Sequence, residues 1–343
     1  MKNHSKKTAT AFLILGILVV ALVILLAEKS RLDDEVVQSM YTRDAVDEMI
    51  DEAYQETYQD ALQTGRQELL SELEASLDSG SSVLETLRPY YPDDILLLGD
   101  GTYHFVPIKD TIPHNSYQQE NLEILESGEY RYLEDGQVVS YKGIDVSAYQ
   151  GRIDWEKVAA DGVDFAIIRA VYRGYGSAGK LMEDERYDTN MAGAIDAGIS
   201  VGLYVYTQAI SDEEVIEEAN LAIAKAAKYT ERCTIVVDVE KVLDANGRMN
   251  ALEVSERTRL VALFCRMIEE AGYTPMIYCN LEMAVLLLDM EQLTQYDIWF
   301  AAYTDTLYYP YAYSVWQYTE KGSVDGIDGE VDLNLSFTQI LSE

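Results

Sequence analysis

The chain has 343 residues, 48% of them apolar, enough for two or three domains with at least one sizeable core. Its formal net charge of −34 excludes the basic footprint that a nucleic-acid binder needs. The histidines, His4, His104 and His114, all lie in the first third, which excludes a Ser-His-Asp triad, a Cys-His pair or a His-ligated zinc site from the remainder. Chemistry there must run on carboxylates, tyrosines or lysines, with no metal or cofactor expected. Cys233, Cys265 and Cys279 are too few for a disulfide framework and read as small buried thiols.

In chain order, a short tail (1–8) with Lys2, Lys6 and Lys7 precedes an uncharged apolar run over 9–27. That run is long enough to span a bilayer, and acidic residues follow it. The charge asymmetry predicts a single-pass anchor with a cytoplasmic N-terminus and the rest of the chain outside. A cleaved signal peptide is the rival reading, but Leu26-Ala27-Glu28 is a poor cleavage site. Residues 28–88 are acidic, with apolar residues at helical spacing (Val46, Ile50, Ala53; Leu70, Leu73, Leu77) and an interruption at Gly65. They predict a helical stalk of roughly 65–70 Å, with a charged disordered spacer as the alternative; the stalk also offers a surface for self-association. Ser82 and Glu85 fit a capping box for one more helical turn. Residues 89–141 hold β-rich runs around Asp100-Gly101 and Asp135-Gly136, both hairpin signals, and predict a small β-rich module.

From residue 142 to 343 strands and helices alternate. Strand-like runs fall at 143–149, 165–172, 200–206, 234–240, 274–279, 297–303, 313–318 and 330–336, with amphipathic segments at 155–160, 188–197, 212–229 and 255–271. The fold class this predicts is α/β: an irregular, TIM-like (β/α) barrel of parallel strands, its last links too short for full helices. It would be preceded by the transmembrane helix, the stalk and the small module.

Active sites of such barrels assemble at the C-terminal rim of the strands. Asp145 on the first strand, Asp238 and Glu240 on the fourth and Asp332 on the eighth would face one bowl. Asp238 and Glu240 are two apart, so they share a face. Burying such a pair is expensive unless it is used or paired. Aromatics gather in the same segments: Tyr149, Tyr204, Tyr206, Tyr278, Trp299, Tyr303, Trp316 and Tyr318, with Gln150 and Gln317 beside them. Flat rings suit pyranose faces, and carboxylates suit acid/base work at a glycosidic oxygen. Each aromatic taken alone reads equally well as core, and each strand-end Asp as a loop cap; the four acids together carry the reading.

The blocks GIDVSAYQGRIDW, FAIIRA, DERYDTN, AIDAGISVGLYVY, VVDVE, IWFAAY and VWQYTEKGSVDGIDGEVDLN resemble, in order, those of the family 25 glycoside hydrolases, the muramidase lysozymes. The resemblance runs from about Lys142 to the C-terminus. It implies cleavage of the β-1,4 bond between N-acetylmuramic acid and N-acetylglucosamine in peptidoglycan glycan strands. It also implies Glu240 as proton donor, with Asp145, Asp238 and Asp332 as accompanying acids. One departure is Tyr204-Val205-Tyr206, where relatives often have Tyr-His-Phe or Tyr-His-Tyr; Val205 should point away from the site. The second acid could stabilise an oxocarbenium-like centre, activate water or orient the substrate's N-acetyl group, and the implied substrate favours the last. A catalytically silent wall-binding scaffold, or a glycosidase for another N-acetylhexosamine polymer such as chitin, is the alternative. Gly174-Tyr-Gly176-Ser-Ala-Gly179 matches a dinucleotide pattern but lacks the helix and acid that pattern requires, and reads as a loop at the cleft rim.

Overall fold

The computed structural model describes residues 17–24, 42–229, 232–243 and 246–340. The chain divides into two compact units, Met1–Tyr90 and Tyr91–Glu343. No helix among the described residues is long and apolar enough to cross a membrane, so the spanning helix expected over 9–27 is not borne out. Of that stretch, residues 17–24 are described, as eight helical residues. The remainder, like the 1–8 tail, lies outside the described residues.

In the first unit, helix α1 (Arg43–Asp78) is capped by Thr42, whose hydroxyl accepts from Ala45 N at 3.3 Å. It runs straight through Gly65 for 36 residues, about 54 Å, and buries none of them. Helix α2 (Val83–Leu87) opens with the expected capping box: Ser82 N donates to Glu85 Oε2 at 2.7 Å, and Glu85 N to Ser82 Oγ at 3.2 Å.

In the second unit, β1 (Asp94–Gly99) and β2 (Thr102–Pro107) form a hairpin, and β3 (Leu122–Ile124), β4 (Tyr130–Glu134) and β5 (Gln137–Val138) a small antiparallel sheet. Both tight turns fall where Asp-Gly was read. Asp100 (φ 48°) with Gly101 (φ 74°), and Asp135 (φ 51°) with Gly136 (φ 75°), adopt the left-handed backbone of a type I′ turn.

The barrel follows: β6 (Tyr141–Val146), β7 (Phe165–Arg173), β9 (Ser200–Tyr206), β10 (Thr234–Asp238), β11 (Thr274–Asn280), β12 (Asp297–Ala301), β13 (Val315–Gly322) and β14 (Val331–Ser336). Pairing of β6 with β7 and of β14 with β6 closes it. Short β8 (Leu181–Glu183) pairs with the end of β7. The expectation of an all-parallel barrel is corrected at one strand: β14 runs antiparallel to both β13 and β6. Its short link from β13 forms no crossover helix, so the chain must return in the opposite direction.

Alternation sorts each strand into an inner and an outer face. Phe165, Ile167, Val236, Met276, Trp299 and Val315 pack in one cluster, which fills the interior. Gly143 is required there: a Cβ on it would lie 2.1 Å from the Phe165 ring. The outer faces of β7 to β11 are backed by α4 (Tyr187–Asp196), α5 (Asp212–Ala226) and α6 (Val254–Glu270), with α3 (Trp155–Ala160) following β6. Helix α6 shows why it forms: Leu260, Val261, Phe264, Cys265 and Ile268 make one buried stripe at helical spacing.

From β12 onward no α-helix follows the strands. Their outer side is covered instead by the segment that precedes the barrel. The Tyr130 ring stacks on Tyr318 at 4.1 Å and meets Trp316 edge-on at 5.4 Å, and Tyr117 stacks on Phe337 at 3.8 Å. Tyr117 Oη donates to Tyr313 O at 2.7 Å, and Asn115 Nδ2 to Tyr309 O at 2.7 Å and Tyr311 O at 3.0 Å. Lys142 ties the two parts by pairing with Glu129 (2.9 Å) and Asp161 (2.8 Å). Residues on both sides of 141–142 belong to the one compact unit Tyr91–Glu343.

Candidate active site

The barrel rim gathers the four acids. Asp145 is the fifth residue of β6 and is buried. Its Oδ2 accepts from Gln317 Nε2 (2.8 Å) and Asn334 Nδ2 (2.9 Å). Each amide is oriented in turn. Gln317 Oε1 accepts from Tyr278 Oη (2.8 Å) and Tyr303 Oη (3.0 Å), while Asn334 Oδ1 accepts from Trp299 Nε1 (2.8 Å). The network leaves Asp145 little freedom to rotate.

Asp332 lies opposite Asp145 in the antiparallel register. It was expected at the C-terminal end of its strand; it is the second residue of β14 and reaches the rim because that strand runs backwards. The two carboxyls are close enough for each to shift the titration of the other. Burial pushes Asp145 up to about 6, held down by the donors around it. Burial and then the charge of Asp145 push Asp332 up to about 8. Between those values the coupled pair holds one proton.

Asp238 closes β10, in register with Tyr206 on β9 and Tyr278 on β11. Burial, then the charges of Glu240 and Asp145, raise it well above the usual carboxylate range, with Arg169 opposing. Its Oδ1 is buried and, among the described residues, has no hydrogen-bond partner. Glu240 stands just beyond the strand end and is only partly buried. Burial and then Asp332 raise its pKa, and a hydrogen bond with Tyr278 lowers it. Tyr278 has one hydroxyl hydrogen, which Gln317 receives here; when Glu240 ionises the same hydrogen can turn to it.

Among the candidate contacts, Tyr204, Tyr206, Tyr278 and Trp299 lie on inward positions of β9, β11 and β12; Tyr278 and Trp299 meet edge-on at 4.6 Å. Val205 faces outward into the other cluster, as read. Tyr303 is half exposed, and Tyr149 is 86% exposed with the Arg169 guanidinium 5.1 Å from its ring centre. Three candidates are placed elsewhere. Trp316 and Tyr318 flank inward-facing Gln317, so strand alternation sends both outward beneath Tyr130. Gln150 caps its own turn, its Oε1 accepting from Ser147 N at 2.8 Å.

Several site residues escaped the sequence reading. Arg169 follows Phe165 and Ile167 on the inner face of β7, and Asn334 follows Asp332 on β14, so the period-two pattern already marked both. Asp184, fully enclosed, holds Arg169 by its Nε and guanidinium nitrogen at 2.8 Å each and accepts from Ala148 N at 3.0 Å. It fixes the Arg169 side chain, whose charge acts on Asp238. Nothing in its local sequence signalled that role. Among the described residues no group of His, Cys, Asp and Glu is arranged to hold a metal ion.

Residues 144–327 match the family described as Glycosyl hydrolases family 25. The chain is 28% identical over 196 residues to an autolytic lysozyme of Clostridium acetobutylicum, covering 56% of this chain and 55% of that protein. It is 29% identical over 205 residues to an uncharacterized Escherichia coli protein, YegX, covering 56% and 68%. Among solved structures, a family 25 glycosyl hydrolase from Bacillus anthracis superposes with TM-score 0.50 at 25% identity, over 63% of this chain and 96% of that one. The spore cortex lytic enzyme SleM of Clostridium perfringens superposes with TM-score 0.51 at 22% identity, over 59% and 69%. With more than half of its length matched, the chain belongs to glycosyl hydrolase family 25, a family of lysozyme-like peptidoglycan hydrolases, and is an enzyme of that class.

Proposed function

We propose that the protein hydrolyses the β-1,4 bond between N-acetylmuramic acid and N-acetylglucosamine in peptidoglycan, working outside the cytoplasm with its rim toward the wall. The observation that carries this reading is the convergence of Asp145, Asp238, Glu240 and Asp332 at one rim, with all four carboxyls shifted upward. A glycosidase needs an acid still protonated at working pH. Glu240 suits the role: it is only partly buried at the rim, and burial and the charge of Asp332 raise its pKa, which favours the protonated form.

In this mechanism Glu240 gives its proton to the glycosidic oxygen as the bond to the anomeric carbon breaks. The lone buried oxygen of Asp238 is an acceptor without a donor, and an acetamido N–H supplies one. That hydrogen bond aims the acetamido oxygen at the anomeric carbon, so the substrate acts as its own nucleophile; water then opens the cyclic intermediate and returns a proton to Glu240. Asp145 and Asp332, sharing one proton, keep negative charge beneath the developing positive centre.

The test is release of new reducing ends from purified peptidoglycan, with the products weighed by mass spectrometry. Glu240→Gln, isosteric but unable to donate a proton, should lower the rate by at least about 10²- to 10⁴-fold. Undiminished release by that variant removes Glu240 from its role. Binding of peptidoglycan without release by the unaltered protein would instead favour a silent scaffold.

A further inference from the structure

The glycine-rich stretch 174–179 has a use other than the nucleotide signal it resembles. It forms the tip of a hairpin in which β8 turns back on the end of β7, pairing Arg173 with Leu181, Tyr172 with Met182 and Val171 with Glu183. No helix begins there. The tip is fixed from two sides. Arg173, on β7, donates from its guanidinium to Gly179 O at 2.8 Å. Gly176 N donates to Asn246 O at 2.8 Å. Gly179 admits no side chain, since a Cβ there would lie 2.1 Å from a guanidinium nitrogen of Arg248, and Arg248 is itself held by Glu214 at 2.7 Å.

Asn246 and Arg248 belong to the segment that follows Glu240. Strand β9 lies between β7 and β10. A tie from the tip of β7 to the segment after β10 therefore passes over the end of β9, where Tyr206 stands in register with both Tyr172 and Asp238. Tyr175 sits in this tied tip, and the residue is 55% exposed. Burial, and then the charges of Asp238 and Glu240, push the Tyr206 hydroxyl up, with Tyr175 adding to them.

We infer that Tyr175 is a further carbohydrate-binding residue, which with Tyr206 forms a stacking platform for a hexosamine ring of the glycan strand beside the ring being cleaved. The inference rests on the glycan reading above. A half-exposed tyrosine on a loop pinned at both ends offers a rigid apolar face with little conformational freedom to lose on binding. The chain thus extends its groove with an element outside the strand-end acids.

Sedimentation with insoluble peptidoglycan sacculi tests it, using the full chain carrying Glu240→Gln so that nothing is cut. Adding Tyr175→Ala should weaken binding about five- to tenfold, the size of one stacking contact. Adding Tyr175→Phe should leave it within about twofold, because the ring face is kept. Unchanged melting temperatures would confirm that both variants fold. If the parent sediments and Tyr175→Ala sediments equally well, the platform is overturned while the glycan reading stands. If the parent itself fails to sediment, both fall.

Discussion

From β7 to β11 the barrel wall is backed by helices; from β12 to β14 it is backed by tyrosines from a segment that precedes the barrel in the chain. Both solve one problem, since the outer face of a barrel strand is apolar and must be kept from water. On the helical side each strand brings its own cover. On the other side the links are too short to build helices, and residues 112–132 supply the cover from a distance in sequence. The β-rich stretch is therefore part of the barrel's outer layer, whatever else it does.

The comparison can be broken most directly by truncation. A fragment of residues 91–343 should melt cooperatively, whereas residues 142–343 alone should expose the outer faces of Trp316, Tyr318 and Phe337 and show no cooperative transition by calorimetry. A folded, monomeric 142–343 fragment would show that the tyrosine layer is dispensable. Point substitutions sharpen the contrast. Phe264→Ala on the helical side removes a fully buried ring and should cost about 3–5 kcal/mol. Tyr130→Ala removes a half-buried ring stacked on Tyr318 and should cost roughly 2 kcal/mol, read from denaturant midpoints.

The smallest expected effect lies in the interior and depends on pH. The folded pKa of Asp332 is raised to about 8, whereas an unfolded Asp titrates near its ordinary value of 3.8. As pH rises between these values the unfolded state gives up its proton first, so stability falls. Asp332→Asn removes that loss, because the amide does not titrate. It should raise the melting temperature by several degrees or more above pH 8 and leave it nearly unchanged at pH 4, while impairing activity. A rise of equal size at both pH values would mean that the proton is not held as described.

Much of this arrangement could be read from the residues, and the failures share a physical origin. Periodicity found α3 to α6 and every barrel strand, because those segments carry long repeats of buried positions. Asp100-Gly101 and Asp135-Gly136 located both turns, because few residues tolerate that backbone. Strand direction was not legible: nothing in the local pattern of Val331–Ser336 records that its neighbours run the other way. Asp332 therefore reached the rim by a route the sequence did not show. Trp316 and Tyr318 were misplaced although alternation forbids three consecutive residues from sharing one face. Gln150 was taken up by a cap that depends on the conformation of its own turn. The tyrosine cover stayed hidden because its contacts join residues nearly two hundred positions apart.

The reversed direction of β14 also settles where the barrel's two connections to the rest of the chain emerge. Tyr141, at the start of β6, sits directly beside Ser336, at the end of β14. Both therefore leave at the pole remote from the carboxylates, and a partner domain or tag joined after residue 340 would hang below the bowl and leave the approach of a long polymer unobstructed.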